Sequence, residues 1–315
     1  LAAQVVDQAC WPLPGPVHVN QPLREPLLPG AEVPAPSPDP APRRRRPPLH
    51  PAPETVAALA ARLSGRPGVI VCGELPASPD LARAVTALAG KLACPILAEP
   101  LSGLRFGPHD RSRICCRYQG WLGHGAFVAA QRPDWVLRLG NFPVTRVLQA
   151  FVAAPQATDH VLVDPLPRWQ DPANVLDQIV AADPAAVCAA LNGHALTGAP
   201  PAWMAAFAAA EAAVAARPPP AAGEGGHLQA VLGALPDHCP VFVGNSLLIR
   251  ELDAFSGSGA GTIEFFANRG ASGIDGNVST ALGIAAGRGR VVALLGDLTC
   301  QHDLGGLAAA TGLDA

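Results

Sequence analysis

The sequence predicts an α/β protein built on a parallel sheet, and three observations carry that reading. Between residues 53 and about 200, short apolar runs of strand length (69–72, 95–98, 135–139, 161–164) alternate with helical patterns near 54–63, 80–92, from 125, and near 144–152. Such alternation gives parallel strands with helices on both faces. Two further apolar runs, 241–243 and 291–295, each read as a buried strand ending in a turn, at Gly244-Asn245-Ser246 and at Gly296-Asp297. Finally, 315 residues at 49% hydrophobic and 15% charged can bury a core large enough for two domains.

Charge and composition narrow the function. A net charge of -3 and a pI near 6.3 leave no electrostatic footprint for nucleic acid. No apolar run approaches the roughly 18 residues that span a bilayer, so a soluble chain is expected. The eight cysteines show no metal-binding spacing, and several lie inside apolar runs, where a reduced thiol behaves as a small hydrophobe. A reducing cytoplasm fits that usage. The chain opens on Leu1 with no targeting signal and reads as a fragment.

In chain order, residues 1–28 read as a tail containing an alternating strand at 15–20, which needs pairing neighbours. Residues 29–53 form a Pro-rich linker with four arginines, Arg43 to Arg46, taken as a solvated charge run rather than a nucleic-acid patch. The segment 54–200 is the central α/β unit. No Gly-x-Gly-x-x-Gly follows any of its strands, which argues against a dinucleotide there. Arg146 falls on a first helical turn, where a cation opposes the dipole; a ligand carboxylate would explain it, and so would a plain surface position. Arg105, Arg111, Arg113 and Arg117 are either exposed charges or an anionic-effector site. From 202 to 217, Trp203, Phe207, Ala210 and Val214 recur at helical spacing as core residues, and Pro218-Pro219-Pro220 ends the helix. A second helix is expected near 226–235.

The densest signal lies between Gly244 and Leu307, centred on Ala267-Asn268-Arg269-Gly270-Ala271-Ser272-Gly273-Ile274-Asp275-Gly276. Where a parallel strand gives way to a helix, free backbone N–H groups and the helix dipole favour an anion, and an Asp beside a phosphate needs a bridging cation. Gly296-Asp297 is therefore a candidate Mg²⁺-diphosphate site, or else Asp297 is a buried helix cap. Arg250 lies four positions past Ser246, on the same helix face. Arg250 and Arg269 carry the planar, permanently charged fork that holds carboxylates bidentately. Asn245 and Asn268 could be simple caps, Ile274 a helix-start hydrophobe, and His302 packed or solvated.

Asn245-Ser246-Leu247 with Arg250, the decapeptide, and Gly296-Asp297-Leu298-Thr299 with Asp303-Leu304 resemble a family of thiamine-diphosphate (ThDP) enzymes. It is the menaquinone-pathway family that forms 2-succinyl-5-enolpyruvyl-6-hydroxy-3-cyclohexene-1-carboxylate, the pathway that also leads to phylloquinone. ThDP enzymes at large read Gly-Asp-Gly at the metal turn, and Leu298 after Asp297 is typical of this branch. The resemblance implies a transferase that decarboxylates 2-oxoglutarate on ThDP and adds the resulting unit to isochorismate. It further implies Asp297 as ligand to Mg²⁺ (or Mn²⁺), and Asn245, Ser246, Ile274, Gly296 and Asp297 as cofactor contacts. By the same resemblance Ser246, Arg250, Arg269 and Ile274 are catalytic, Ile274 keeps the coenzyme bent, and Arg146, Arg250 and Arg269 bind the two dicarboxylate substrates. The chain is then the end of a pyrimidine-binding domain (1–28), a linker, a central domain without bound dinucleotide, and the first part of an α/β diphosphate-binding domain (201–315). A cytoplasmic dimer or tetramer is implied. The activating Glu and a second metal ligand are expected outside these 315 residues, so no synthase activity is expected of the chain alone. The alternatives are an acetolactate-synthase-like ThDP carboligase and a non-catalytic, anion-sensing α/β module.

Overall fold

A computed structural model describes residues 2–11, 15–25, 27, 48–154, 159–166 and 168–312. The four linker arginines lie outside the described residues. After helix α1 (Ala2–Cys10), the elements follow as α2 (Pro53–Leu63), β1 (Gly68–Cys72), α3 (Pro79–Leu92), β2 (Ile96–Ala98), β3 (Ile114–Cys115), α4 (Gly125–Ala130) and β4 (Trp135–Leu139). Next come α5 (Arg146–Ala153), β5 (Asp159–Val163), β6 (Gln178–Val180), α6 (Pro184–Asn192), α7 (Pro201–Ala215) and α8 (Glu224–Ala234). The last stretch is β7 (Cys239–Val243), α9 (Leu247–Phe255), β8 (Ile263–Phe266), α10 (Asn277–Arg288), β9 (Val292–Leu294) and α11 (Asp297–His302).

The first six strands form one sheet in the order β3-β2-β1-β4-β5-β6, parallel throughout. Strand alternation splits its side chains between two cores. Ile70, Ile96, Leu137 and Val161 pack under α2, α3 and α6 through Leu59, Val85, Leu88 and Leu191. Val69, Val71 and Val136 face α5 and α7 through Leu148, Phe151, Trp203 and Phe207. Trp203 and Phe207 are thus core residues, as their helical spacing requires. Six of the eight cysteines, all but Cys10 and Cys300, are buried and unpaired.

Three expectations need correction. The run at 15–20 makes no strand, because a strand is defined by a ladder and no neighbour pairs with it among the described residues. The fifth helix begins at Arg146 rather than near 144, with Thr145 extended at φ -87 and ψ 140 before it. The run at 291–295 is not a buried strand: β9 is an edge of the second sheet, β8-β7-β9, with Ala293 exposed and its neighbours half-buried, whereas Val241, Phe242 and Val243 of central β7 are buried.

The two sheets are joined by a buried ionic network. Arg105, fully buried, donates from Nε to the Ala98 carbonyl (2.7 Å) and from Nη1 to the Asp253 carbonyl (2.8 Å) and Ser256 Oγ (3.0 Å). Its Nη2 forms an ion pair with the Asp253 carboxylate, which also accepts from Tyr118 Oη and from Gln119 Nε2. Arg105 is therefore unavailable to an exposed effector, contrary to the four-arginine reading. Arg117 likewise leans on Glu211 at 3.8 Å. Among the described residues no helix is long and apolar enough to cross a membrane.

Candidate functional site

The site is assembled where β7 and β9 end. Gly244 donates to the Leu294 carbonyl (2.8 Å), and a Cβ at Gly244 would stand only 3.3 Å from that oxygen, so the two strand ends approach as closely as bare backbone allows. Asn245 follows, 2% exposed. It is a clasp and not a cap: Nδ2 donates to the Gly273 carbonyl (2.7 Å) while Oδ1 accepts from Arg269 Nη1 (2.7 Å). The decapeptide loop is thereby pinned to the turn after β7. Ser246 adopts φ +69 and ψ -126, a backbone region that L-residues rarely occupy, and its hydroxyl is exposed and makes no capping bond. Its carbonyl accepts from Arg250 Nε at 3.0 Å, which folds the exposed guanidinium back over the first turn of α9.

At the end of β9, Gly296 is the residue before α11 and Asp297 is its first residue. Asp297 is exposed, which overturns the reading of a buried cap; Oδ1 accepts from the Leu298 N–H at 2.7 Å. Asn245, Ser246, Ile274, Gly296 and Asp297 together line one cavity of about 660 Å³. The donor set there suits a hard divalent cation: a carboxylate facing solvent-filled space at a strand-to-helix turn, without the cluster of three protein ligands that a self-sufficient metal site would show among the described residues. Such a set matches a metal that completes its shell with phosphate and water.

The arginines are distributed differently. Arg269 borders a second cavity of about 170 Å³, with Glu74, Glu99, Asn141 and Gln170; the two cavities share no lining residue, and Asn245, which lines the larger one, reaches Arg269 through its hydrogen bond. Arg146 is exposed on α5, beside Phe142 and Gln149, which also wall the Arg269 cavity. Arg250 lines neither space. Asn268 donates to Thr280 Oγ1 (3.1 Å) and so bonds the decapeptide to α10; His302 is exposed.

Two carboxyl groups escaped sequence reasoning. Glu99, 2% exposed, follows β2 and accepts from the Val144 N–H at 2.6 Å. Burial, and then the charge of Asp253, push its pKa up to about 8 against the pull of that N–H and of Arg105 and Arg269. Glu251 on α9 walls the larger cavity with Glu224 of α8, and desolvation together with the hydrogen-bonded, like-charged Glu224 raises it to about 7. Glu99 opens the loop Glu99-Pro100-Leu101-Ser102-Gly103-Leu104, which resembles the same family, but the sequence assigns neither carboxyl a role. Only the packing of distant elements brings them to the site.

A parallel sheet with two strand-to-helix turns meeting at one cavity places the chain among α/β proteins, and comparison with solved structures gives that arrangement a known fold. A Mycobacterium smegmatis protein provisionally described as a thiamin diphosphate-dependent enzyme superposes with a TM-score of 0.56 at 20% identity, covering 87% of this chain and 54% of that one. The fold is thus shared with that protein. Among curated proteins, the 2-succinyl-5-enolpyruvyl-6-hydroxy-3-cyclohexene-1-carboxylate synthase of Dechloromonas aromatica is 51% identical over 312 residues, 99% of this chain and 57% of the relative. Synthases of the same name from Geobacillus kaustophilus and Halobacterium salinarum are each 38% identical, over 98% and 97% of this chain. The chain belongs to this synthase family. It spans about half the length of the curated relatives it matches. No family model matches it.

Proposed function

We propose that this chain forms the central and diphosphate-holding part of an enzyme that decarboxylates 2-oxoglutarate on ThDP and joins the four-carbon unit to isochorismate, giving 2-succinyl-5-enolpyruvyl-6-hydroxy-3-cyclohexene-1-carboxylate for menaquinone synthesis. One observation carries the reading: Asn245, Ser246, Ile274, Gly296 and Asp297, far apart in sequence, line a single cavity whose clasp residue also holds Arg269. In this reading Asp297 would hold Mg²⁺ or Mn²⁺, Gly296 at the turn before α11 would contact the diphosphate, and Ile274 of the decapeptide loop would contact the coenzyme. When bound, ThDP supplies the electron sink for loss of CO₂ from a 2-oxo acid.

The chain's own groups then select and orient. Asn245 fixes the direction of Arg269, and the Ser246 carbonyl holds Arg250 on the exposed face of α9, outside both cavities; these two guanidinium groups are the ones read as receiving reactants with two carboxylates. Arg146 is the third, reached across Phe142 and Gln149. The exposed Ser246 hydroxyl can donate to a substrate oxygen in the larger cavity. A cytoplasmic homodimer or tetramer belongs to the same proposal.

The test is kinetic. In a polypeptide extended to the length of its relatives, Arg250→Ala and Arg269→Ala are each expected to lower kcat/KM for 2-oxoglutarate or isochorismate by roughly 10- to 150-fold, the equivalent of one lost charge-assisted contact of about 1.5–3 kcal/mol. Turnover of pyruvate in preference to 2-oxoglutarate, or unchanged kinetics in both variants, would sink the assignment.

A further inference from the structure

The cavity beside Arg269 has a polar wall whose side-chain amide groups each already donate a hydrogen bond. Asn141 Nδ2 donates to Glu74 Oε2 (2.7 Å), Gln149 Nε2 to the Pro143 carbonyl (2.8 Å) and Gln170 Nε2 to Asn141 Oδ1 (3.3 Å). Arg269 and Glu99 both retain capacity. Arg269 spends Nη1 on Asn245, and its buried Nε has no partner among the described residues. Glu99, 2% exposed, spends one oxygen on the Val144 N–H, and its other oxygen has no hydrogen bond to any described residue. Glu99 lines the cavity, so that second oxygen is the one free to meet a ligand there.

We propose that this cavity of about 170 Å³ seats one carboxylate of the substrate, held by the Arg269 guanidinium on one side and by the Glu99 carboxyl on the other. The inference rests on the reading of Arg269 as a substrate contact and adds a residue and a protonation state to it. The charged groups facing Glu99 are Asp253 from α9, Arg105 from the loop after β2, Arg269 from the decapeptide and Glu74 from the cavity wall. Of these, Arg105 is committed to Asp253. An ionised Glu99 would thus compete with the incoming carboxylate for Arg269 and repel it beside Glu74, whereas the neutral acid donates to it. With the carboxyl titrating at about 8, the donor form dominates at neutral pH. Binding of the anion is therefore linked to one proton, and affinity falls as pH rises through and beyond that value.

Calorimetric titration of the 315-residue chain with succinate, a plain dicarboxylate, between pH 6.5 and 9.5 (about one and a half units either side of 8) tests this. The expected result is an affinity that is level below pH 8 and then declines toward about tenfold per pH unit. Glu99→Gln, which keeps shape and donor, should bind succinate with a flat profile, and Glu99→Ala should bind about 10-fold or more weakly at pH 7. Succinate binding that depends on Arg269 but is pH-flat and unmoved by both Glu99 variants overturns this inference and leaves the substrate role of Arg269 standing. Binding unaffected by Arg269→Ala overturns that role as well. A chain that binds no succinate overturns the inference, and a Mg²⁺-dependent ThDP titration of the same sample decides the cofactor reading on its own.

Discussion

Replacing Asp297 by alanine is expected to weaken Mg²⁺-dependent ThDP binding by more than about 100-fold, since loss even of a group that merely supports a metal ligand costs 10- to 100-fold. The folded chain should hardly notice. Asp297 is exposed and its one hydrogen bond is to the adjacent Leu298 N–H, so the change in unfolding free energy should stay within about 0.5 kcal/mol. The pairing of a large binding loss with a negligible stability loss is what separates a metal ligand from a helix cap, whose removal would cost about 1 kcal/mol of stability and leave cofactor affinity alone. Titration of ThDP with and without EDTA, alongside urea unfolding of both proteins, reads the two quantities. ThDP affinity that Asp297→Ala leaves intact would remove the central element of the proposed function.

The opposite pattern is expected at Asp253. With Arg105 0% and Asp253 2% exposed, Asp253→Ala strands a guanidinium in the interior, and breaking a buried pair in this way typically costs about 3–5 kcal/mol. Tyr118→Phe removes a single donor to the same carboxylate and should cost about 1 kcal/mol. The ratio of the two losses in urea unfolding reports how much of the network is charge and how much is hydrogen bonding. Equal losses would mean that the Arg105 charge is met by other groups. The network matters beyond stability because Asp253 sits on α9, whose first turn carries Ser246 and Arg250; the six-stranded sheet sets the position of these two residues through it.

Much of this architecture was legible in the chain because its strands are long, apolar and separated by helices. Trp135–Leu139 was readable to the residue, and Trp203 and Phe207 identified the inner face of α7. Short pieces were not. β3 has two residues and β6 three, too few for any period, and they exist only because a sheet edge offers them partners. β9 read as buried from its apolar run, but composition does not say whether a strand lies at the middle or the edge of a sheet. Asn245, Ser246, Ile274, Gly296 and Asp297 were named from the sequence and share a cavity, because each belongs to a strand-to-helix turn or to the glycine-rich loop. Arg105 read as a surface charge, since nothing local reveals an Asp 148 positions away that draws it inside. Glu99 and Glu251 were illegible for the same reason: their altered acidity comes from neighbours that only folding supplies.

The backbone at Ser246 carries a cost in stability. A side chain held at φ +69 costs about 1–3 kcal/mol that glycine would not incur. Ser246→Gly therefore trades the hydroxyl for a firmer turn, and urea unfolding of that variant reads the strain directly.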